Sequence, residues 1–227
     1  MKMIKNSLKA ASFAGIAKIS GLMKISFLVG SQMIWFSASN AVLPLAGAFG
    51  GVMGSGLVFL IRQLLHLLFF KTISLSFLAF CIPGFCASLY WATQHYAIRL
   101  LLPLACMGLF VIHPVGAQAS AYSLYWLIPV VLFFASHKSL FLQALGSTFI
   151  AHAVGSVIWL YTVPMTAGMW MGLMPIVLFE RIAFALGMVI AHRIFSMIFG
   201  MIDRVCMRKL KNRFPNPLAL SVLRSEM

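Results

Sequence analysis

The chain has 227 residues, 62% of them hydrophobic and only 9% charged, with a mean hydropathy of +1.01. Soluble domains average about 45–50% apolar and about 25% charged residues, so composition excludes soluble enzymes, secreted disulfide scaffolds and disordered chains and points to a helical membrane protein. The 17 Lys and Arg outweigh 3 acidic residues, for a formal charge of +14, but they gather at the two ends in a positive-inside pattern and form no nucleic-acid-binding face.

At the amino end, residues 1–24 interleave apolar side chains with Lys2, Lys5, Lys9, Lys18 and Lys24. This stretch reads as an interfacial amphipathic helix or a disordered basic lead. A secretory signal competes, because Ser37, Ala38 and Ser39 resemble a cleavage site, but a 24-residue basic leader is long for that role. Six apolar blocks follow, at 25–61, 72–91, 100–112, 121–136, 139–161 and 166–191, free of charge except for Glu180 and Arg181 in the last. A helix crossing the hydrocarbon needs about 20 residues, so each block is a candidate span. The first, with 37 residues, holds Asn40 and Pro44 near its middle and is either two helices or one broken helix.

Placing both basic ends in the cytoplasm requires an even number of spans, and six satisfy it. The expected fold is therefore all-α and polytopic: a six-helix transmembrane domain over 25–193, then the end of the last helix and a basic cytoplasmic tail over 194–227. The location is the cell inner membrane. Segment 62–71 fits the charge rule least, since it puts Arg62 and Lys71 outside; its pattern is amphipathic enough to lie flat at the interface.

Ala46, Gly50 and Gly54 recur every four residues, with Gly47, Gly51 and Ser55 as a second ladder beside them. Small residues at that period serve ordinary helix packing or a docking face for a partner helix. No Gly-Lys-Ser/Thr follows, so the run is not a phosphate loop. In the segment 113–126, expected outside, Tyr122, Tyr125 and Trp126 are pocket walls or members of the interfacial aromatic belt, the belt being favoured for Trp126.

On the fifth block, His152 shares a helical face with Ala144, Thr148, Ser156 and Trp159. The stripe suits a pocket in which Trp159 stacks on a flat ligand and His152 makes a hydrogen bond; it suits equally a helix contact. Glu180 is the only carboxylate within a block and is followed directly by Arg181. An ionisable group in the bilayer costs at least about 2.5–3.5 kcal/mol on insertion scales, so this pair is either an internal ion pair or a ligand site. Helical rise puts His152 and Glu180 about 14 and about 21 Å from the outer face, close enough to share a cluster. Trp170 lies eleven residues before Arg181 on nearly the same face, with Pro175 between them.

Cys81, Cys86, Cys106 and Cys206 read as small hydrophobes, with no metal-ligand spacing, and no cofactor is expected. Neither His-Glu-x-x-His nor Gly-x-Ser-x-Gly occurs, and no Asp cluster would hold Mg²⁺. The chain reads as a non-enzyme.

In length, six spans, cytoplasmic ends and small-residue helix faces over 25–193, the layout resembles the substrate-binding S component of energy-coupling factor vitamin transporters. The resemblance implies binding, without catalysis, of a vitamin-like or heterocyclic nutrient, contacted by His152, Trp159, Trp170, Glu180 and Arg181. It also implies a capping role for 62–71, contact of Ala46, Gly50 and Gly54 with a coupling subunit, and energy from partner ATPases. Two alternatives are a membrane scaffold or assembly protein without transport activity and a small intramembrane enzyme using His152 and Glu180 as acid and base.

Overall fold

A computed structural model describes residues 24–25, 36–37, 39–71, 75–135 and 139–213. Where no water is available to satisfy backbone groups, a helix satisfies them within its own segment, and helices dominate here. They are α1 (Ser39–Val42), α2 (Leu45–Phe70), α3 (Leu75–Ala92), α4 (Leu102–Ile112), α5 (Pro114–Gln118), α6 (Ser120–Ser123), α7 (Leu127–Phe134), α8 (Leu140–Thr162) and α9 (Ala167–Arg213). Three stretches are long and apolar enough to cross a membrane: Leu45–Phe69, Leu140–Thr162 and Ala167–Ile202. Shorter apolar helices cover Cys81–Ala92, Ala97–Ile112 and Ser120–Phe134.

The first apolar block is not one helix from Ile25. Lys24–Ile25 pairs antiparallel with Phe36–Ser37, the only strand pairing among the described residues. Further on, the helix is interrupted twice, at Leu43–Pro44 between α1 and α2, as Pro44 suggests, and again at Gly51 inside α2. Gly51 has φ 61° and ψ −159°, a conformation essentially restricted to glycine. The bend brings Gly54 against the carbonyl oxygen of Ala46 and puts Leu43 and Val58 in one core cluster. Ala46 and Gly54 are thus buried against each other and Gly50 is half-buried, so the three do not form one straight ladder. The second ladder packs inward: Gly47 sits against the Ser88 carbonyl of α3, and the Ser55 and Ser88 hydroxyls are 2.7 Å apart.

Segment 62–71 is not a separate interfacial piece. With no breaker between Gly56 and Lys71, α2 runs on to Phe70 and ends where Lys71 turns left-handed at φ 53°, its N–H donating to Leu67 O. The α3 helix packs on α8 through Ser147, whose hydroxyl donates to Ala87 O at 2.9 Å. Beyond it, a π-helical turn at Ala97–Leu101 leads into α4 and carries Arg99 inward.

The segment expected as an outer loop is largely helical, formed by α5, α6 and a 3₁₀ turn at Leu124–Trp126. Trp126 is fully buried and does not belong to an aromatic belt; it packs edge-on to Phe110 and Tyr122. The last helix continues well past Ala191, through the basic residues to Arg213, two positions before Pro215. At 47 residues α9 is about 70 Å long, more than twice the ~30 Å hydrocarbon thickness. Pro175 lies within α9 without ending it.

Two core clusters result. One gathers Leu43, Leu45, Ala46 and Val58 with Ala144, Ala185, Met188 and Phe195. The other gathers Phe110, Tyr122, Trp126 and Trp170 with Ala153, Val154, Leu160 and Val177. The expectations for residues 1–23, 26–35, 38, 72–74, 136–138 and 214–227 lie outside the described residues.

Candidate functional site

Residues of both clusters, among them Leu43, Met188, Tyr122 and Trp170, border a cavity of about 460 Å³. That volume lies in the range of small-molecule sites. Its walls come from α2 and the Asn40–Pro44 segment, from Ala79, Pro83 and Gly84 of α3, from Tyr122 of α6, and from α8 and α9.

The α8 wall follows from its four-residue spacing. Thr148, His152, Ser156 and Trp159 all line the cavity, whereas Ala144, one turn further, is buried in the core. The α9 wall supplies Trp170, Glu180 and Arg181. His152, Trp159, Trp170, Glu180 and Arg181 therefore share one cavity, while Ala46, Gly50 and Gly54 stand apart from it.

Aromatic packing fixes the geometry of one end. The Tyr122 ring lies 4.9 Å from that of Trp170 and 5.4 Å from His152. Its hydroxyl is 3.5 Å from Ser156 Oγ. Trp159 Nε1 points to Met165 Sδ at 3.1 Å. Tyr125 holds α9 in place by donating to Met174 O at 3.1 Å.

The electrostatics rest on a buried pair. Arg181 Nη2 donates to Glu180 Oε2 at 2.7 Å, with the two residues 7% and 3% exposed. Neighbours on a helix diverge by about 100°, so the pair closes only because both side chains bend toward the same space. Glu180 Oε1, His152 Nε2 and Trp170 Nε1 are buried and have no hydrogen-bond partner among the described residues. A buried polar group left unpaired costs about 1–3 kcal/mol, and here all three belong to residues that line one cavity. The arrangement offers an acceptor from Glu180, a donor from Trp170, and either role from His152.

Sequence reasoning missed Arg62, which lines the cavity from α2. The signal was present: Arg62 is the one Lys, Arg, Asp or Glu in the mostly apolar run from Leu57 to Phe70, but ending the block at its first charge put it outside. Asn40, Phe184 and Met188, also in the lining, carry no signal of their own in the sequence. Among the described residues, no group of three or more His, Cys, Asp or Glu could hold a metal.

The fold and cavity define a class: a largely helical protein with membrane-length apolar helices and a mostly apolar cavity that carries a few polar side chains. No family model, curated protein or solved structure matches the chain.

Proposed function

We propose that this chain is a six-span inner-membrane protein with both ends cytoplasmic, and that it binds a small vitamin-like or heterocyclic nutrient for uptake energised by a coupling subunit and ATPases. The observation that supports the reading is the cavity itself, with three unpartnered buried polar atoms set among aromatic walls. Packing that served stability alone would have paired those atoms or replaced them with apolar groups. In this reading Trp159 and Trp170 flank a flat ligand, His152 and Glu180 hydrogen-bond its edge, and Arg181 bonds Glu180. The likeness of the layout to S components of energy-coupling factor transporters supplies the partners.

A thermal-shift screen of the detergent-purified protein against vitamins, purines and other flat metabolites tests this. Ligand binding to the folded state raises Tm by mass action. The reading expects a hit that disappears in Glu180→Gln and in His152→Ala. No hit, with both variants merely less stable, points to a scaffold; a compound consumed without any partner points to an enzyme.

A further inference from the structure

The shape of the cavity bears on the ligand, and this inference rests on the reading above. On α9, Trp170, Leu173, Val177, Glu180, Phe184 and Met188 all line it, at the three- and four-residue spacing of one helical face. By helical rise Trp170 and Met188 are about 27 Å apart, and side chains on a helix lean the same way, so the separation carries over to the lining itself. A compact void of about 460 Å³ is only about 10 Å across and cannot touch both. The cavity is therefore a slot lying lengthwise along α9. The α8 wall agrees, since Thr148 and Trp159, both in the lining, stand about 16 Å apart by the same measure.

Two of the unpartnered polar atoms belong to well-separated parts of that slot. Trp170 and Glu180 are ten residues apart on α9, about 15 Å of rise, and Trp170 Nε1 and Glu180 Oε1 are each buried without a hydrogen-bond partner among the described residues. A single ring or a fused pair is shorter than that separation, so it meets one of the two atoms and leaves the other an orphan. We propose that the cavity takes an elongated ligand: a heteroaromatic ring at the Trp159 and Trp170 end, its ring nitrogen or carbonyl accepting from Trp170 Nε1–H, and an arm along α9 that ends in an N–H or O–H donor to Glu180 Oε1. The chemistry of the two ends follows from the atoms they meet: an indole N–H only donates, and a carboxylate ion-paired with Arg181 only accepts. An arm ending in an ether oxygen or a carboxylate brings an acceptor against an acceptor. His152 Nε2, also unpartnered, stands beside the Tyr122 ring that packs on Trp170, and it bonds the edge of the ligand between the two ends.

The test measures dissociation constants on the purified full-length protein for quinazolinone, purine and pteridine heterocycles, bare and with arms of graded length that end in a hydroxyl or in the matching methyl ether. The expected result is that, for at least one heterocycle, affinity climbs with arm length to a maximum at least about tenfold above the bare ring, the scale of one hydrogen bond to a charged group, and that the ether of that length loses the gain. Glu180→Gln cuts the gain and leaves the bare ring bound as in wild type, whereas Trp170→Phe weakens bare and armed ligands alike. An arm that adds nothing at any length overturns the proposal, as do an ether that binds as well as its alcohol and a failure of every compound to bind. The length series and the alcohol–ether comparison need only wild-type protein, so they stand even if a variant misfolds. A bare ring that binds through His152 and Glu180, with no gain from any arm, sinks the elongated ligand and leaves the uptake reading intact. The expected arm dependence, without accumulation of that compound by cells expressing the protein with its energising partners, does the reverse.

Discussion

Arg99 and Arg181 are both buried, at 0% and 7% exposure, and they are held by different things. Arg99 donates from Nη2 to Tyr90 O at 2.7 Å and from Nε to Thr93 O at 3.0 Å, and its guanidinium sits 4.0 Å over the Tyr90 ring. Tyr90 lies in the last turn of α3, where a helix leaves carbonyls unsatisfied and its dipole favours a cation. Arg181 instead bonds Glu180 on the wall of a cavity where Glu180 Oε1, His152 Nε2 and Trp170 Nε1 lack partners among the described residues. In the first region two backbone carbonyls and a ring hold the guanidinium as a clasp between α3 and α4, leaving Nη1 without a partner among the described residues. In the second, capacity is left over, and a ligand is what would use it.

This contrast predicts that substitutions along the seam of α2, α3 and α8 change stability, whereas those on the cavity wall change binding. The largest effect is expected from Gly47→Val, whose side chain would overlap the Ser88 carbonyl oxygen, a backbone atom that cannot swing aside. Overpacking against backbone costs about 3 kcal/mol or more, and the variant should yield no monodisperse protein by size-exclusion chromatography. Next, Arg99→Met strips partners from two carbonyls and should cost about 2–4 kcal/mol, read as a fall in Tm, while ligand affinity in the surviving folded protein stays the same. A changed affinity would mean that the clasp and the cavity are coupled.

Smaller still is the Ser55–Ser88 contact at 2.7 Å. A double-mutant cycle with Ser55→Ala and Ser88→Ala should give a coupling of about 1 kcal/mol in thermal or denaturant unfolding. Trp170→Phe should cost about 1 kcal/mol, because the smaller ring leaves a void in the second core cluster although the indole N–H it removes has no partner. Ligand affinity should nonetheless fall about tenfold in titrations. Loss of stability without loss of affinity would return Trp170 to the core.

The sequence showed the helical membrane character and the main polar residues of the cavity for one reason: charged and polar side chains are rare in apolar blocks, so Glu180, Arg181 and His152 stood out, and a four-residue spacing tied Thr148, His152, Ser156 and Trp159 to one face. The bend was harder, because Gly47, Gly50, Gly51, Gly54 and Gly56 are equally permissive and only the packing of Ala46 on Gly54 selects Gly51. Arg62 was misplaced because a charge at the end of an apolar block looks the same whether the helix stops or continues into a cavity. Trp126 was misplaced because aromatic residues near a Pro-Gly turn suit an interfacial belt as well as a core, and only the contacts with Phe110 and Tyr122 decide.

The most direct test compares two serines on α8, Ser156 in the cavity lining and Ser147 in the seam with α3. Each is replaced by Cys, as Ser156→Cys and Ser147→Cys, in a background without Cys81, Cys86, Cys106 and Cys206, and labelled with a small water-soluble thiol reagent in native membranes. The account predicts rapid labelling at 156 that saturating ligand blocks, and no labelling at 147 until the protein unfolds. Equal reactivity at the two positions, or labelling at 147 alone, would contradict the division between a sealed seam and an accessible chamber.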